Sequence, residues 1–260
     1  MCGCFLYNRL LKTQRGEETM EGVAVVTGAS SGIGEAIARH LLDSGCTVVT
    51  LQRRPPRLKH ERLLFHQVDL ADAAATQKIA GEIAAKYPVR YLVNNAGANM
   101  PGLLEQATVE DLDYVMALNV RAAMILIQAL TPGMRAAKFG RIVSMSSRAV
   151  LGKTHRTIYS AAKAALIGMT RTLCLELGGD GITINAVAPG PVASELFDNG
   201  HPLGSDKRQR VIDSIPVKRV GTPDDVARMV VFLLAPASAY ITGQTMFVCG
   251  GTSVSGSGGA

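Results

Sequence analysis

Tyr159 and Lys163 stand four residues apart in Tyr159-Ser160-Ala161-Ala162-Lys163, a stretch that reads helical, so their side chains share one face. A phenol with a pKa of about 10 is a poor acid or base near neutrality, but a neighbouring ammonium favours the phenolate and brings it toward the working range. Far upstream, Thr27-Gly28-Ala29-Ser30-Ser31-Gly32-Ile33-Gly34 follows the apolar run Val23-Ala24-Val25-Val26. Such a turn lets a backbone approach a dinucleotide pyrophosphate and aims a helix N-terminus at it. Gly28 permits the turn out of the strand, Gly32 the close approach, and Gly34 the packing of helix on sheet. A proton donor and a dinucleotide cradle in one chain point to hydride chemistry on a nicotinamide cofactor.

The intervening sequence has to bring these segments together. Strands are predicted at Val23–Val26, Thr47–Leu51, Leu64–Val68, Tyr91–Val93, Arg141–Met145, Ile182–Val187 and Thr245–Val248. Helices are predicted from Ile33 to a stop at Gly45, over Ala73–Lys86, Val109–Ala137 with a bend at Pro132, Tyr159–Leu177 and Val226–Leu234. Strands separated by helices need crossovers, which give an α/β, doubly wound parallel sheet of Rossmann type, here in a single domain. Ligands then bind beyond the carboxyl ends of the strands, so the glycine cluster, Asp69-Leu70, Asn94-Asn95-Ala96-Gly97, Ser146-Ser147 and Pro189-Gly190-Pro191 should share one edge.

Cofactor choice is set after the second strand, where an acidic residue would bind a ribose 2′-hydroxyl. This chain has Gln52-Arg53-Arg54 instead, and a planar donor fork suits a 2′-phosphate, so NADP(H) is favoured over NAD(H), with Arg53 ahead of Arg54. Asp69 is placed to accept from an adenine amino group or to cap the helix starting near Asp72. Asn95 suits a ribose contact or the organisation of its own turn. Ser147 ends the fifth strand, where its hydroxyl would hold a carbonyl oxygen near Tyr159; Ser146 and Ser144 compete for that role. Asn119, polar within an apolar helix, needs a partner, an ordered water or a helix kink.

Together these residues resemble the short-chain dehydrogenase/reductase family from Val23 to Gly251: Thr27-Gly28-x-x-x-Gly32-x-Gly34, Asn94-Asn95-Ala96-Gly97, Asn119, Ser147, Tyr159-x-x-x-Lys163 and Pro189-Gly190, in family order. The resemblance implies a tetrad of Tyr159 as proton donor or acceptor, Lys163 as its electrostatic partner and ribose anchor, Ser147 as carbonyl polariser and Asn119 as support for a water relay. It implies cofactor contacts at Gly28, Ser30, Ser31, Gly32, Ile33, Gly34, Arg53, Arg54, Asp69, Leu70, Asn95, Ala96, Gly97, Pro189, Gly190 and Val192, and a homo-oligomer, tetramer or dimer. The family spacing to the tyrosine would select Ser146; alignment of the strand end selects Ser147. Cys249 stands where many relatives carry Asp or Asn and is expected to pack. The likeness leans toward 3-oxoacyl-carrier-protein reductases, although Gly178-Gly179-Asp180 lacks the basic residue that some of them use to dock the carrier.

The chain has 260 residues, 47% hydrophobic and 18% charged, enough for one sizeable core. A net charge of +6 without long basic runs gives no nucleic-acid footprint, no apolar run is long enough to span a bilayer, and no metal-ligand spacing stands out. Five cysteines, three of them in apolar stretches, suggest free thiols and a cytoplasmic location. Residues 1–19 are expected to form an appended, disordered tail, 20–252 the domain, about 191–217 a substrate lid, and 253–260 a flexible tail. The lid's His201, Lys207, Arg208 and Arg210 either recognise an anion or face water. The function expected is reversible reduction of a ketone to a secondary alcohol, with an alcohol or sugar dehydrogenase running oxidatively, or a silent dinucleotide-binding regulator, as alternatives.

Overall fold

The computed structural model describes residues 20–255; the tail expected at 1–19 and the end of the one expected at 253–260 lie outside them. Seven parallel strands form one sheet: β1 (Val23–Thr27), β2 (Thr47–Gln52), β3 (Leu63–Gln67), β4 (Val89–Asn94), β5 (Gly140–Met145), β6 (Ile182–Pro189) and β7 (Thr245–Val248), in the order β3-β2-β1-β4-β5-β6-β7. The order reverses between β1 and β4. The doubly wound sheet predicted from strand-helix alternation is therefore the one observed.

Alternation along each strand builds two cores. Ala24 and Val26 of β1, with Tyr91, Val93, Val143 and Val187, face α1 (Gly32–Asp43) and α8 (Pro223–Leu234), which bring Ile37, Leu41, Val226, Val230 and Leu234. Val25, Val49, Leu92, Ile142 and Ile184 face the other way, against Ile83 of α2 (Ala73–Lys86), Leu126 and Leu130 of α4 (Ala122–Ala136) and Leu177 of α5 (Thr157–Leu177). Strands covered on both faces have to be apolar throughout, which is why β1 is buried at every position.

The long helix predicted from Val109 departs from the expected bend at Pro132. It divides into α3 (Val109–Met116), a π-helical turn at Ala117–Arg121 and α4, which passes through Pro132 without interruption. Pro132 lacks the N–H that would bond Gln128, and the Thr131 hydroxyl covers the gap by donating to the carbonyls of Ile127 and Gln128. The π turn is closed by the Ala122 N–H donating to the Ala117 carbonyl, and it carries Asn119. The span Val109–Ala136 is long and apolar enough to cross a bilayer by length and composition, but its apolar side packs on the sheet.

Other boundaries move by a few residues. α5 starts at Thr157, β6 runs on to Pro189, and α8 starts at Pro223 behind a capping box in which Thr222 and Asp225 bond each other's backbone. Residues 193–217 contain α6 (Glu195–Gly200) and α7 (Asp206–Ser214). Cys46 and Cys249 are buried and free, Cys249 with its thiol bonded to the Ser253 hydroxyl.

Leu92, fully buried at the middle of the sheet, reports the strength of this packing. Leu92→Ala should cost about 2–5 kcal/mol in urea unfolding, and the exposed Leu175→Ala less than about 0.5 kcal/mol.

Candidate active site

At the point where strand order reverses, Thr27 stitches β1 to β4: its hydroxyl accepts from the Asn95 and Ala96 N–H groups, each at 2.9 Å. The Asn95 Nδ2 donates to the carbonyls of Thr27 and Gly28, both at 3.0 Å. Asn95 thus organises its turn, as one of its two expected roles required, while also lining a cleft of about 260 Å³. Of the predicted cofactor residues, Gly28, Ser30, Ser31, Arg53, Arg54, Asp69, Leu70, Asn95, Ala96 and Gly97 line this cleft.

Gly32 and Gly34 lie behind it. Gly32 has φ +61°, a conformation costly for a side chain, and opens α1; a Cβ on Gly34 would collide with the Gly28 carbonyl and stand 2.5 Å from the Asn95 Nδ2. No side chain caps α1 at Ser31, so its first amides, Ile33 among them, have no side-chain acceptor there. Asp72, not Asp69, caps α2; the Asp69 carboxylate accepts from the Ala71 N–H at 3.0 Å beside the cleft.

Gln52 also lines the cleft and has a role that the sequence reading passed over. Its Oε1 accepts from the Ala29 N–H at 2.7 Å, tying β2 to the glycine turn, while its buried Nε2 has no partner. A buried amide donor left over at the edge of a cleft is unusual enough to suggest a ligand acceptor. The signal was present in the sequence, since a glutamine ending an apolar strand must find partners. Arg53 and Arg54 are exposed at the mouth and hold no ion pair among the described residues. An uncapped helix end, an orphaned amide and two arginines form a donor set that fits a phosphorylated dinucleotide.

The cleft meets the second constellation at Gly97. A Cβ there would lie 2.9 Å from the Asn119 Oδ1 and 3.2 Å from the Lys163 Nζ. Asn119, buried in the π turn, clasps the backbone of Ala98: its Oδ1 accepts from the N–H at 2.8 Å and its Nδ2 donates to the carbonyl at 3.0 Å. Lys163 is buried and donates to the Met145 carbonyl at 2.7 Å. Its Nζ stands 5.6 Å from the centre of the Tyr159 ring.

Ser147 and Ser146 separate clearly. Ser146 is buried and spends its hydroxyl on the Lys163 carbonyl at 2.9 Å, and Ser144 receives the Asn94 Nδ2 at 3.5 Å. The Ser147 hydroxyl accepts from the Ala149 N–H at 3.1 Å and lies close enough to the Tyr159 phenol to lower its pKa. The electrostatics differ from the simple ammonium-phenol pairing expected. Burial is the largest influence on Tyr159 and pushes its pKa above the usual phenol value, against Ser147 and Arg156, which lower it. Burial likewise brings Lys163 down to about 8. Pro189, Gly190 and Val192 end β6 away from the cleft lining: the Gly190 N–H donates to the Val248 carbonyl at 2.9 Å, and Val192 forms a parallel bridge with Gly221.

A family profile described as enoyl-(acyl carrier protein) reductase matches residues 28–253. The chain is 37% identical over 247 residues to the short-chain reductase protein NovJ of Streptomyces niveus, across 90% of this chain and 94% of that protein. It is 35% identical over 232 residues to the 3-oxoacyl-[acyl-carrier-protein] reductase FabG of Rickettsia bellii, across 88% and 95%. A solved 3-oxoacyl (acyl-carrier-protein) reductase from Agrobacterium tumefaciens C58 with NADP bound superposes with a TM-score of 0.84 at 27% identity, over 92% of this chain and 98% of that one. The chain belongs to the short-chain dehydrogenase/reductase family, oxidoreductases that act on CH–OH or C=O groups with NAD(P).

Proposed function

We propose that the protein reversibly reduces a ketone to a secondary alcohol with NADPH, Tyr159 supplying the proton. The observation that carries this reading is the junction at Gly97, where a cleft fitted to a phosphorylated dinucleotide touches Asn119 and Lys163 beside the Ser147–Tyr159 pair. The bound nicotinamide supplies the hydride that adds to the carbonyl carbon.

Ser147 and Tyr159 present two hydroxyls to one carbonyl oxygen, and the phenol proton passes to that oxygen as the C–H bond forms. Burial keeps Tyr159 protonated at neutral pH, the state that reduction needs; oxidation of the alcohol uses the phenolate and gains with rising pH. Lys163, still largely charged at neutral pH, stabilises the phenolate left behind and offers a ribose anchor. Asn119 holds the Ala98 backbone and supports proton resupply. Arg53 and Arg54 would hold the 2′-phosphate, the uncapped turn with Ser30, Ser31, Gly32 and Ile33 would hold the pyrophosphate, Asp69 and Leu70 would serve the adenine, and Pro189, Gly190 and Val192 the nicotinamide. The NADP in the Agrobacterium structure supports this preference, and the Rickettsia relative supports a 3-oxoacyl or similar carbonyl substrate.

Residues 191–217 act as the substrate lid, the assembly is a homo-oligomer, dimer or tetramer, and the free Cys46, Cys174 and Cys249 suit a reducing cytoplasm. Residues 178–180 supply no basic group of their own for a carrier protein, and the Asp180 carboxylate pairs there with Arg135 and Lys138.

Tyr159→Phe should lower kcat for NADPH-dependent ketone reduction by about 10²–10⁴-fold while NADPH fluorescence titration stays near wild type; surviving turnover would remove Tyr159 from the mechanism. Arg53→Asp should raise the KM for NADPH about tenfold or more relative to that for NADH, and equal losses would contradict a phosphate contact. Lys163 makes a separate prediction about stability. Its folded pKa of about 8 lies below the unfolded 10.5, so the unfolded chain holds more protons between these values and stability rises with pH across that window. Above about pH 10 the buried phenols oppose the trend. Urea unfolding should therefore show wild type gaining on Lys163→Met between about pH 8 and 10, and a flat difference would contradict a buried ammonium.

A further inference from the structure

The segment joining Ser147 to Tyr159 carries Arg148, Lys153 and Arg156 and contains no Asp or Glu. It is held on both sides. The Ser160 hydroxyl donates to the Ala149 carbonyl at 2.9 Å, tying the turn Arg148–Leu151 to α5, and the Gly102 N–H donates to the His155 carbonyl at 3.3 Å beside a Gly102–Arg156 bridge. Gly152 at φ +99° and His155 at φ +61° bend the chain between these anchors. A conformation that costs energy at His155 persists only where its surroundings enforce it.

None of the three cations has a carboxylate partner among the described residues. The Arg148 Nη1 donates to the Thr252 carbonyl at 3.3 Å and the Arg156 Nη1 to the His155 carbonyl at 3.0 Å, which leaves guanidinium donors over in each. The groups nevertheless act on one another. Lys153 is held below the ordinary lysine range by burial and then by Arg156 and Arg148, and Arg156 also acts on the Tyr159 phenol. Like charges gathered without a counter-charge repel, and an anionic ligand relieves that repulsion. In the lid, Arg208 is spent on Asp198 at 2.7 Å and on the Phe197 ring, against which His201 stacks.

We propose that Arg148, Lys153 and Arg156 form an anion subsite beside Tyr159, and that the carbonyl substrate carries an oxyanion group, carboxylate or phosphate, close to the reacting carbon. The inference rests on the Tyr159 reading above, because it orients the substrate at that phenol. Planar guanidinium forks recognise both oxyanions, so the ligand source is left to the experiment.

Two matched pairs test it: 3-oxohexanoate against its ethyl ester, and dihydroxyacetone phosphate against dihydroxyacetone, each assayed by NADPH oxidation with the full chain. The charged member of at least one pair should show kcat/KM about tenfold higher, and the pair that shows it names the oxyanion. That ratio should fall severalfold from about 20 mM to about 0.5 M NaCl, and also in Lys153→Gln and in Arg156→Gln. Neutral members turned over as well as charged ones would overturn the subsite while leaving hydride transfer intact. Absence of turnover with all four would sink the hydride reading, and calorimetry of the charged members with NADP-saturated protein then decides the subsite. Binding lost in both variants supports it; no binding, or binding indifferent to both, overturns it.

Discussion

Two hydrogen bonds between the Asn119 side chain and the backbone of Ala98 join the parts of this molecule that have to work together. They hold the segment after β4 against the π turn between α3 and α4, and Gly97 is squeezed between Asn119 of that turn and the Lys163 Nζ of α5. The π turn exists at the place where this clasp is made. An inserted residue widens the helix and lets a buried asparagine turn both its donor and its acceptor toward one peptide unit. A polar side chain at that depth would otherwise cost stability, so helix irregularity and polar satisfaction are one arrangement.

Burial sets the chemistry beside that clasp more than pairwise attraction does. The same low-dielectric surroundings push the Tyr159 phenol up and bring the Lys163 ammonium down, so the two groups move apart in proton affinity and the phenol holds its proton the more tightly. Of the three serines near the strand end, Ser147 bears on the phenol, while Ser146 is bonded to the Lys163 carbonyl and Ser144 to Asn94. Arg156 extends the field from outside. The phenol thus has a buried ammonium 5.6 Å from its ring centre and feels the Arg156 guanidinium as well, an arrangement suited to a reaction that transiently leaves negative charge on oxygen.

On the cofactor side, the structure leaves polar groups unsatisfied where a phosphorylated ligand would meet them. Among the described residues the Gln52 Nε2 is buried without an acceptor, α1 begins without a side-chain cap, and Arg53 and Arg54 face the cleft without an ion pair. Proteins seldom leave donors idle at one place unless something supplies the missing acceptors.

The sequence by itself determined the sheet, its crossovers and the identity of most candidate residues, because apolar runs of strand length alternating with helical periodicity admit few packings, and because Gly28, Gly32, Gly34, Tyr159 and Lys163 carry local geometric requirements. It was less informative wherever the outcome depended on which polar atom found which partner. The irregular turn lies at Asn119 and not at Pro132, since the Thr131 hydroxyl covers the carbonyl that proline frees while Asn119 has to reach Ala98. Asp72 took the cap that Asp69 was offered, the Gln52 Oε1 tied β2 to the glycine turn, and burial became the largest influence on the Tyr159 phenol. The separate partners of Ser144, Ser146 and Ser147 were likewise decided by tertiary structure, because hydrogen-bond partnership arises only when distant segments are brought within a few ångströms.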